Sequence, residues 1–234
     1  GGYPSYSTKK QVRWGMIYRS AEIDSLECYS RRELRNLGIK TLIDLRASSE
    51  TGRQSPLQKE FNVVHIPLAT GDMENILKGI REEKIKSDTV YRMVEQMNRD
   101  LIDKYTTEYR QIFDILLDKN SYPVVIHCSS GKGRTGIVSA LVLAALGINE
   151  DIIMEDYRLS NDYFNIPSAS KDAYQLPARS QEAITTLFSA REDFLNAAKE
   201  EAERRYGDID SYLQKGIGLN KDEIKRLRSI LLSD

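Results

Sequence analysis

Cysteine and histidine are scarce in this 234-residue chain, with two of each, and tryptophan occurs once. Two cysteines, Cys28 and Cys128, cannot build a disulfide framework, and two histidines, His65 and His127, make a zinc site improbable. The six prolines and fourteen glycines exclude collagen-like and low-complexity sequence, and 40% apolar residues exclude a disordered chain. No apolar run approaches the roughly 18 residues of a membrane span. Neither sign of charge dominates: 34 basic against 35 acidic residues leave a net charge of -1. That argues against a broad basic surface for nucleic acid and leaves room for a local basic pocket. Gly1-Gly2-Tyr3-Pro4 lacks the basic start and apolar run of a secretory signal. A trimmed chain would look the same, so cytoplasmic and exported locations both stay open.

The length fits one large domain or two small ones. No linker-like shift in composition divides the chain, so 1–234 is expected to be a single domain, and a monomer is the expected state. Residues 12–20 read as one or two short strands. Ser30 and Glu33 suggest a capping box opening a short helix that Gly38 stops. Lys40 to Arg46 and Val63 to Leu68 read as buried strands. Residues 73–101 are helical but strongly charged, which suggests a surface insertion, and residues 107–117 regain an amphipathic helical period. Val124-Val125-Ile126, wholly apolar, fits a strand covered on both faces. It leads through a Gly-rich loop into an apolar helix, 137–146, that ends at Gly147. Residues 150–234 read as helical, broken near Pro167, Pro177, Gly207 and 216–218. Strands alternating with helices, then helices alone, imply an α/β fold: a central sheet of four to five strands surrounded by helices.

The chemistry concentrates at Cys128. The run His127-Cys128-Ser129-Ser130-Gly131-Lys132-Gly133-Arg134-Thr135-Gly136 places a thiol between the end of a strand and the start of a helix. Such a turn aims successive backbone N–H groups into one concavity, and the helix N-terminus adds partial positive charge, so a tetrahedral oxyanion fits there. Gly131 and Gly133 give the loop the freedom that such a nest needs. The same field moves a cysteine pKa from about 8.5 toward roughly 3.5–7.5. Arg134 supplies a planar guanidinium able to grip two phosphate oxygens. A thiolate beneath a phosphoryl group so held is arranged for in-line attack and a phosphocysteine intermediate. Thr135 is placed to hydrogen-bond the departing thiolate, and Lys132 is expected to add a second cation at the rim. His127 is read equally as a buried core histidine or as electrostatic support, and His65 as a satisfied core histidine. Cys28 has no partner motif and reads as a small packing residue.

These residues carry the Cys-x5-Arg-Ser/Thr pattern, and the chain resembles the bacterial cysteine-based tyrosine and lipid phosphatases of mycobacteria and Listeria. The resemblance extends to Val12-Arg13-Trp14-Gly15, Tyr18-Arg19-Ser20, Ile43-Asp44-Leu45-Arg46 with Glu50, and Asp156 to Asn161. It implies a tyrosine-phosphatase-like fold with a lid-like helical insertion, placed at 73–101, and a helical C-terminal part at 150–234. It also implies Cys128, Arg134 and Thr135 as catalytic residues and a phosphate site at Ser129, Ser130, Gly131, Lys132, Gly133 and Arg134. Where the family usually carries aspartate in the loop, this chain has Gly133. The family places a general acid after the strand ending at Leu68, where Asp72 is the acid available, and a solvated helix cap is the equal alternative for it. Arg19 and the Asp44, Arg46 and Glu50 group are expected to form ion pairs that support the loop, with Arg46 reaching the substrate phosphate as the alternative. The implied activity is hydrolysis of phosphate monoesters, phosphotyrosine first, with phosphoserine, phosphothreonine or phosphoinositides also in view. No cofactor or metal is called for. The competing reading is a phosphate-binding module with little turnover.

Overall fold

The computed structural model describes residues 1–24, 31–52, 55–166 and 170–233 in full and the backbone of 28–30. A short strand β1 (Gln11–Val12) precedes four parallel strands: β2 (Ile17–Ser20), β3 (Thr41–Asp44), β4 (Asn62–His65) and β5 (Val124–His127). Their order in the sheet is β2-β5-β3-β4. The last strand, β6 (Leu232–Ser233), pairs antiparallel with β1 and ties the two ends of the described chain together. Every residue of β3 and β5 is buried, as expected for inner strands of a parallel sheet covered on both faces. β4 is less buried than its sequence suggested, with Asn62 and His65 exposed. Among the described residues it pairs only with β3, which leaves its outer edge uncovered by any described strand, and the burial read for that stretch falls on Ile66 and Leu68 beyond the strand. His65 is therefore not a core residue, although its Nε2 lies 2.7 Å from the Arg46 carbonyl.

The register sets Ser20 and Asp44 on either side of His127, with His65 next to Asp44. The four strands thus end in one row, and the segments that follow gather on one edge of the sheet. In open α/β sheets this edge is where ligands bind.

Helix α1 (Cys28–Asn36) begins ahead of Ser30, which lies inside it rather than at its cap. The Ser30 and Cys28 side chains fall outside the described residues. Gly38, at φ +68°, closes the helix as read, and the Ile39 N–H bonds the Leu34 carbonyl across the turn. The charged stretch 73–101 folds as α2 (Met73–Arg81) and α3 (Ser87–Lys104). It is more than a surface excursion: Ile76, Ile80, Val90 and Val94 build a second core with Ala183, Ile184, Leu187 and Phe194. The main core lies around β5, α4 (Thr106–Leu116) and α5 (Gly133–Ala145), and it includes Ile126, Phe113 and Ile137. Beyond Gly147 follow α6 (Glu150–Arg158), α7 (Ser160–Tyr163), α8 (Ala178–Phe188), α9 (Glu192–Tyr206), α10 (Ile209–Ser211) and α11 (Lys221–Leu231). Pro177 stands before α8 and Gly207 ends α9 at φ +95°; the break read near Pro167 lies outside the described residues. Among the described residues no helix is long and apolar enough to cross a membrane.

Candidate active site

Cys128 follows β5 directly and is 1% exposed. The loop after it folds against its neighbour strand: a Cβ on Gly131 would lie 2.7 Å from the backbone of Ser20 and Ala21, and its φ is +68°. Glycine is required there on both counts. The Arg19 guanidinium, fixed on Asp156 Oδ2 at 2.6 Å and on the Ser160 hydroxyl at 2.6 Å, also reaches the Gly131 carbonyl at 3.4 Å. The motif 156–161 thus braces the loop from behind through Arg19. Asn161 completes a reciprocal pair of bonds with the Ala190 backbone.

Two influences oppose each other at the Cys128 sulfur. Burial pushes its pKa up, while the Arg134 guanidinium, the Thr135 hydroxyl and the backbone N–H groups of Thr135 and Gly131 pull it down. The pull wins, and the thiol lies below its ordinary value. The Thr135 hydroxyl is fully buried with no hydrogen-bond partner among the described residues in this geometry, yet it lies near enough to the sulfur to help lower the thiol's pKa. His127 is 2% exposed, and its Nδ1 stands 4.0 Å from Asp44 Oδ1. Burial lowers its pKa despite that carboxylate, so the ring is neutral at pH 7. The hydrogen-bonded core histidine is met only in part: the ring is buried, but its Nδ1 finds no hydrogen-bond partner among the described residues.

Arg134 lies at the first turn of α5 and is 7% exposed. Glu50 takes it in a two-pronged pair, with Nη2 donating to Oε1 at 2.8 Å and Nη1 to Oε2. Nη1 also donates to the Leu68 carbonyl at 3.2 Å. Burial alone would raise the Glu50 pKa, but the bonds from Arg134 and Ser129 hold it down at about 2. Sequence reasoning grouped Glu50 with Asp44 and Arg46. The structure separates them: Arg46 is enclosed by Asp44 (Nε–Oδ1 3.0 Å), Asp24 and Glu22, while Glu50 serves the loop arginine. Arg46 is thus committed to carboxylates and free of the anion site.

Lys132 departs most from expectation. It is 5% exposed rather than at a solvated rim, its Nζ donates to the Leu187 carbonyl at 2.7 Å, and it lies 5.8 Å from the centre of the Phe188 ring. Burial pushes its pKa down to about 7, against the pull of the Cys128 thiolate. The last residues of α8 therefore cover the loop, a contact that no local sequence signal announces. The small cavity over the sulfur, about 70 Å³, is walled by Ser130, Lys132 and Arg134, by Thr70 and Met73, by Met97 and Asn98 of α3, and by Leu187 and Phe188. Met73 of α2, four residues of α3 and the end of α8 thus wall the cavity together.

Asp72 caps α2, accepting from the Asn75 N–H at 3.1 Å and from Asn75 Nδ2 at 2.6 Å. Its exposed side chain is outside the cavity wall, although Thr70 and Met73 on either side belong to it. Gly133 has no steric need to be glycine, since a Cβ there meets nothing within 4 Å. Packing around the Cβ therefore does not impose glycine at 133. Ser129 points to Glu50, its hydroxyl donating to Oε1 at 2.5 Å, and so acts on the arginine clamp.

The family model described as the tyrosine phosphatase family matches residues 1–233. The triple specificity protein phosphatase PtpB of Mycobacterium tuberculosis is 29% identical, over 96% of this chain and 94% of that protein. A tyrosine-protein phosphatase of Nostoc commune is 25% identical, over 90% of this chain and 72% of that protein. The crystal structure of P. aeruginosa TpbA, 17% identical over 80% of this chain and 94% of that one, superposes with a TM-score of 0.37 and adds nothing to the assignment. With a match from the first residue to the last strand, this chain belongs to the tyrosine phosphatase family.

Proposed function

We propose that the protein hydrolyses phosphate monoesters, phosphotyrosine foremost, through a phosphocysteine at Cys128. The observation that carries this reading is a buried thiol whose pKa is lowered beside a clamped guanidinium at the floor of one cavity. Cys128 attacks phosphorus in line, and the leaving oxygen departs on the opposite side. Arg134 and the amides of residues 129–134 take up the charge on the equatorial oxygens. Thr135 hydrogen-bonds the sulfur and eases its departure when water releases phosphate. Glu50 and Ser129 are positioning residues that hold Arg134 in plane. Asp72 is the proton donor to the leaving group, which requires it to leave its cap on α2. The apolar walls contributed by Met97 and Phe188 suit an aryl ester. The relationship to a protein named for triple specificity supports a range beyond phosphotyrosine, toward phosphoserine, phosphothreonine or phosphoinositide substrates.

Rates measured on phosphotyrosine peptides, phosphoserine peptides and phosphoinositide micelles order these substrates. Cys128→Ser is expected to lower turnover by about four orders of magnitude or more while phosphate still binds. Appreciable turnover by that variant refutes the nucleophile. Wild-type protein that binds a phosphopeptide without releasing phosphate establishes the phosphate-binding module instead.

A further inference from the structure

Helix α3 turns an apolar stripe toward the protein interior: Val90, Val94, Leu101 and Ile102 are all buried. One position in that stripe is polar. Asn98 is 3% exposed and sits one turn after Val94, where another aliphatic side chain would continue the pattern. Its Nδ2 donates to the Val94 carbonyl at 2.8 Å, which fixes which way round the amide stands. Its Oδ1 is then the other arm of the amide, buried and without a partner among the described residues. A buried acceptor left in this state loses its water without gaining a bond, so a native structure that keeps one calls for an explanation.

Asn98 lines the same cavity as Cys128 and Arg134. That cavity, at about 70 Å³, has room for about two waters at roughly 30 Å³ each. None of the residues lining it is a carboxylate. Glu50 is spent on Arg134, and Asp72 rests outside the wall, on its cap at α2, until the leaving group draws it in. We infer that Asn98 positions the water that hydrolyses phosphocysteine, with Oδ1 accepting one water hydrogen so that the oxygen lone pair faces phosphorus. An amide oxygen only accepts, so it leaves the water that one orientation; the Thr70 and Ser130 hydroxyls, partly exposed on loops, both donate and accept.

The step balances without an outside base. The water oxygen bonds to phosphorus as the S–P bond breaks, and the electron pair of that bond stays on Cys128 as thiolate. The proton given up by the water passes to a phosphoryl oxygen, so Cys–S–PO3(2−) and H2O yield Cys–S(−) and H2PO4(−). Asn98 neither gains nor loses a proton.

This inference rests on the phosphocysteine reading, and rapid-mix kinetics with p-nitrophenyl phosphate test the two separately. Asn98→Leu, close in shape, is expected to release one equivalent of p-nitrophenol per enzyme in a burst and then turn over at least tenfold more slowly than wild type. Phosphoenzyme trapped by acid quench should rise to match. Asn98→Asp, which keeps the acceptor oxygen, should clear the phosphoenzyme faster than Asn98→Leu. A leucine variant that folds, shows the wild-type melting curve and hydrolyses its phosphoenzyme at the wild-type rate overturns the role of Asn98. Absence of any phosphoenzyme in wild type and variants alike refutes the phosphocysteine reading instead. If Asn98→Leu does not fold, Asn98→Ser, with a shorter side chain, must show the same burst for the inference to stand.

Discussion

Replacing Glu50 by glutamine isolates one interaction at the site. The change keeps the size and one acceptor of the side chain but removes the charge that holds Arg134 from two directions. The carboxyl of Glu50 is held at about 2 from an ordinary 4.5. At 1.36 kcal/mol per unit that is worth about 3 kcal/mol as an upper bound. The side chain is 30% exposed, so solvent screening reduces this to about 1–2 kcal/mol. For a chain of this length Glu50→Gln should lower Tm by about 2–8 °C at pH 7. The pH dependence follows from the direction of the shift. The folded-state value lies below the unfolded one, so the stabilisation is complete above about pH 4.5 and is lost as the pH falls toward 2. Urea unfolding of both proteins should therefore show a gap at pH 7 that closes across that acid range. Catalysis should suffer more than stability. A guanidinium displaced by about 1 Å from its working position costs on the order of 10²-fold, so kcat/KM for an aryl phosphate should fall between about 10- and 100-fold. A variant with kcat/KM within twofold of wild type and an unchanged gap from pH 7 to pH 3 refutes the clamp.

Gly131→Ala meets both a positive φ and backbone atoms of Ser20 and Ala21 at 2.7 Å. It should cost more than about 1 kcal/mol in urea unfolding and abolish most turnover, and a fully active variant would show that the loop does not lie against β2. Lys132, held at about 7 by burial, keeps its proton in the unfolded chain up to about 10.5. Wild-type stability should therefore rise from pH 7 toward pH 10, while Lys132→Met lacks that rise; parallel curves in thermal melts would contradict the burial. Asp72→Asn should slow hydrolysis of phenyl phosphate more than that of p-nitrophenyl phosphate, because only the poorer leaving group needs the proton. Equal effects on the two esters would leave Asp72 as a helix cap alone.

The central strands and the phosphate loop were readable because their signals are local. Four buried residues in a row mark β3, and three aliphatics followed by a Cys–Gly-rich–Arg segment mark β5 and its turn. Edge and partner were not readable. The residues of β4 look like those of an inner strand, and only the absence of a described strand beyond it exposes Asn62 and His65. Lysine in a loop reads as a solvated cation until α8, a span of 55 residues away, lays the Leu187 carbonyl on it. Glu50 and Arg134 lie 84 residues apart, and no spacing rule links them. The charged face of α2 and α3 masked an apolar face whose partners lie in α8 and α9. In each case the deciding energy belongs to a pairing between distant segments, which periodicity along one segment does not encode.

The sulfur sits on a seam. On one side of it is the assembly of sheet, α4 and α5, and on the other α2, α8 and the first half of α3, while Leu101 and Ile102 further along α3 are built into the first interior. The space now present is about 70 Å³, so the aryl ester proposed above requires α2 and α8 to move outward from the sheet, with Lys132 and the carbonyl it grips as the latch. Leu101 and Ile102 keep the far end of α3 fixed to the sheet side, so such an opening is largest toward α2 and α8. On the proposed reading, the reach toward bulky esters is then governed by how far α2 and α8 part from the sheet while α3 stays anchored.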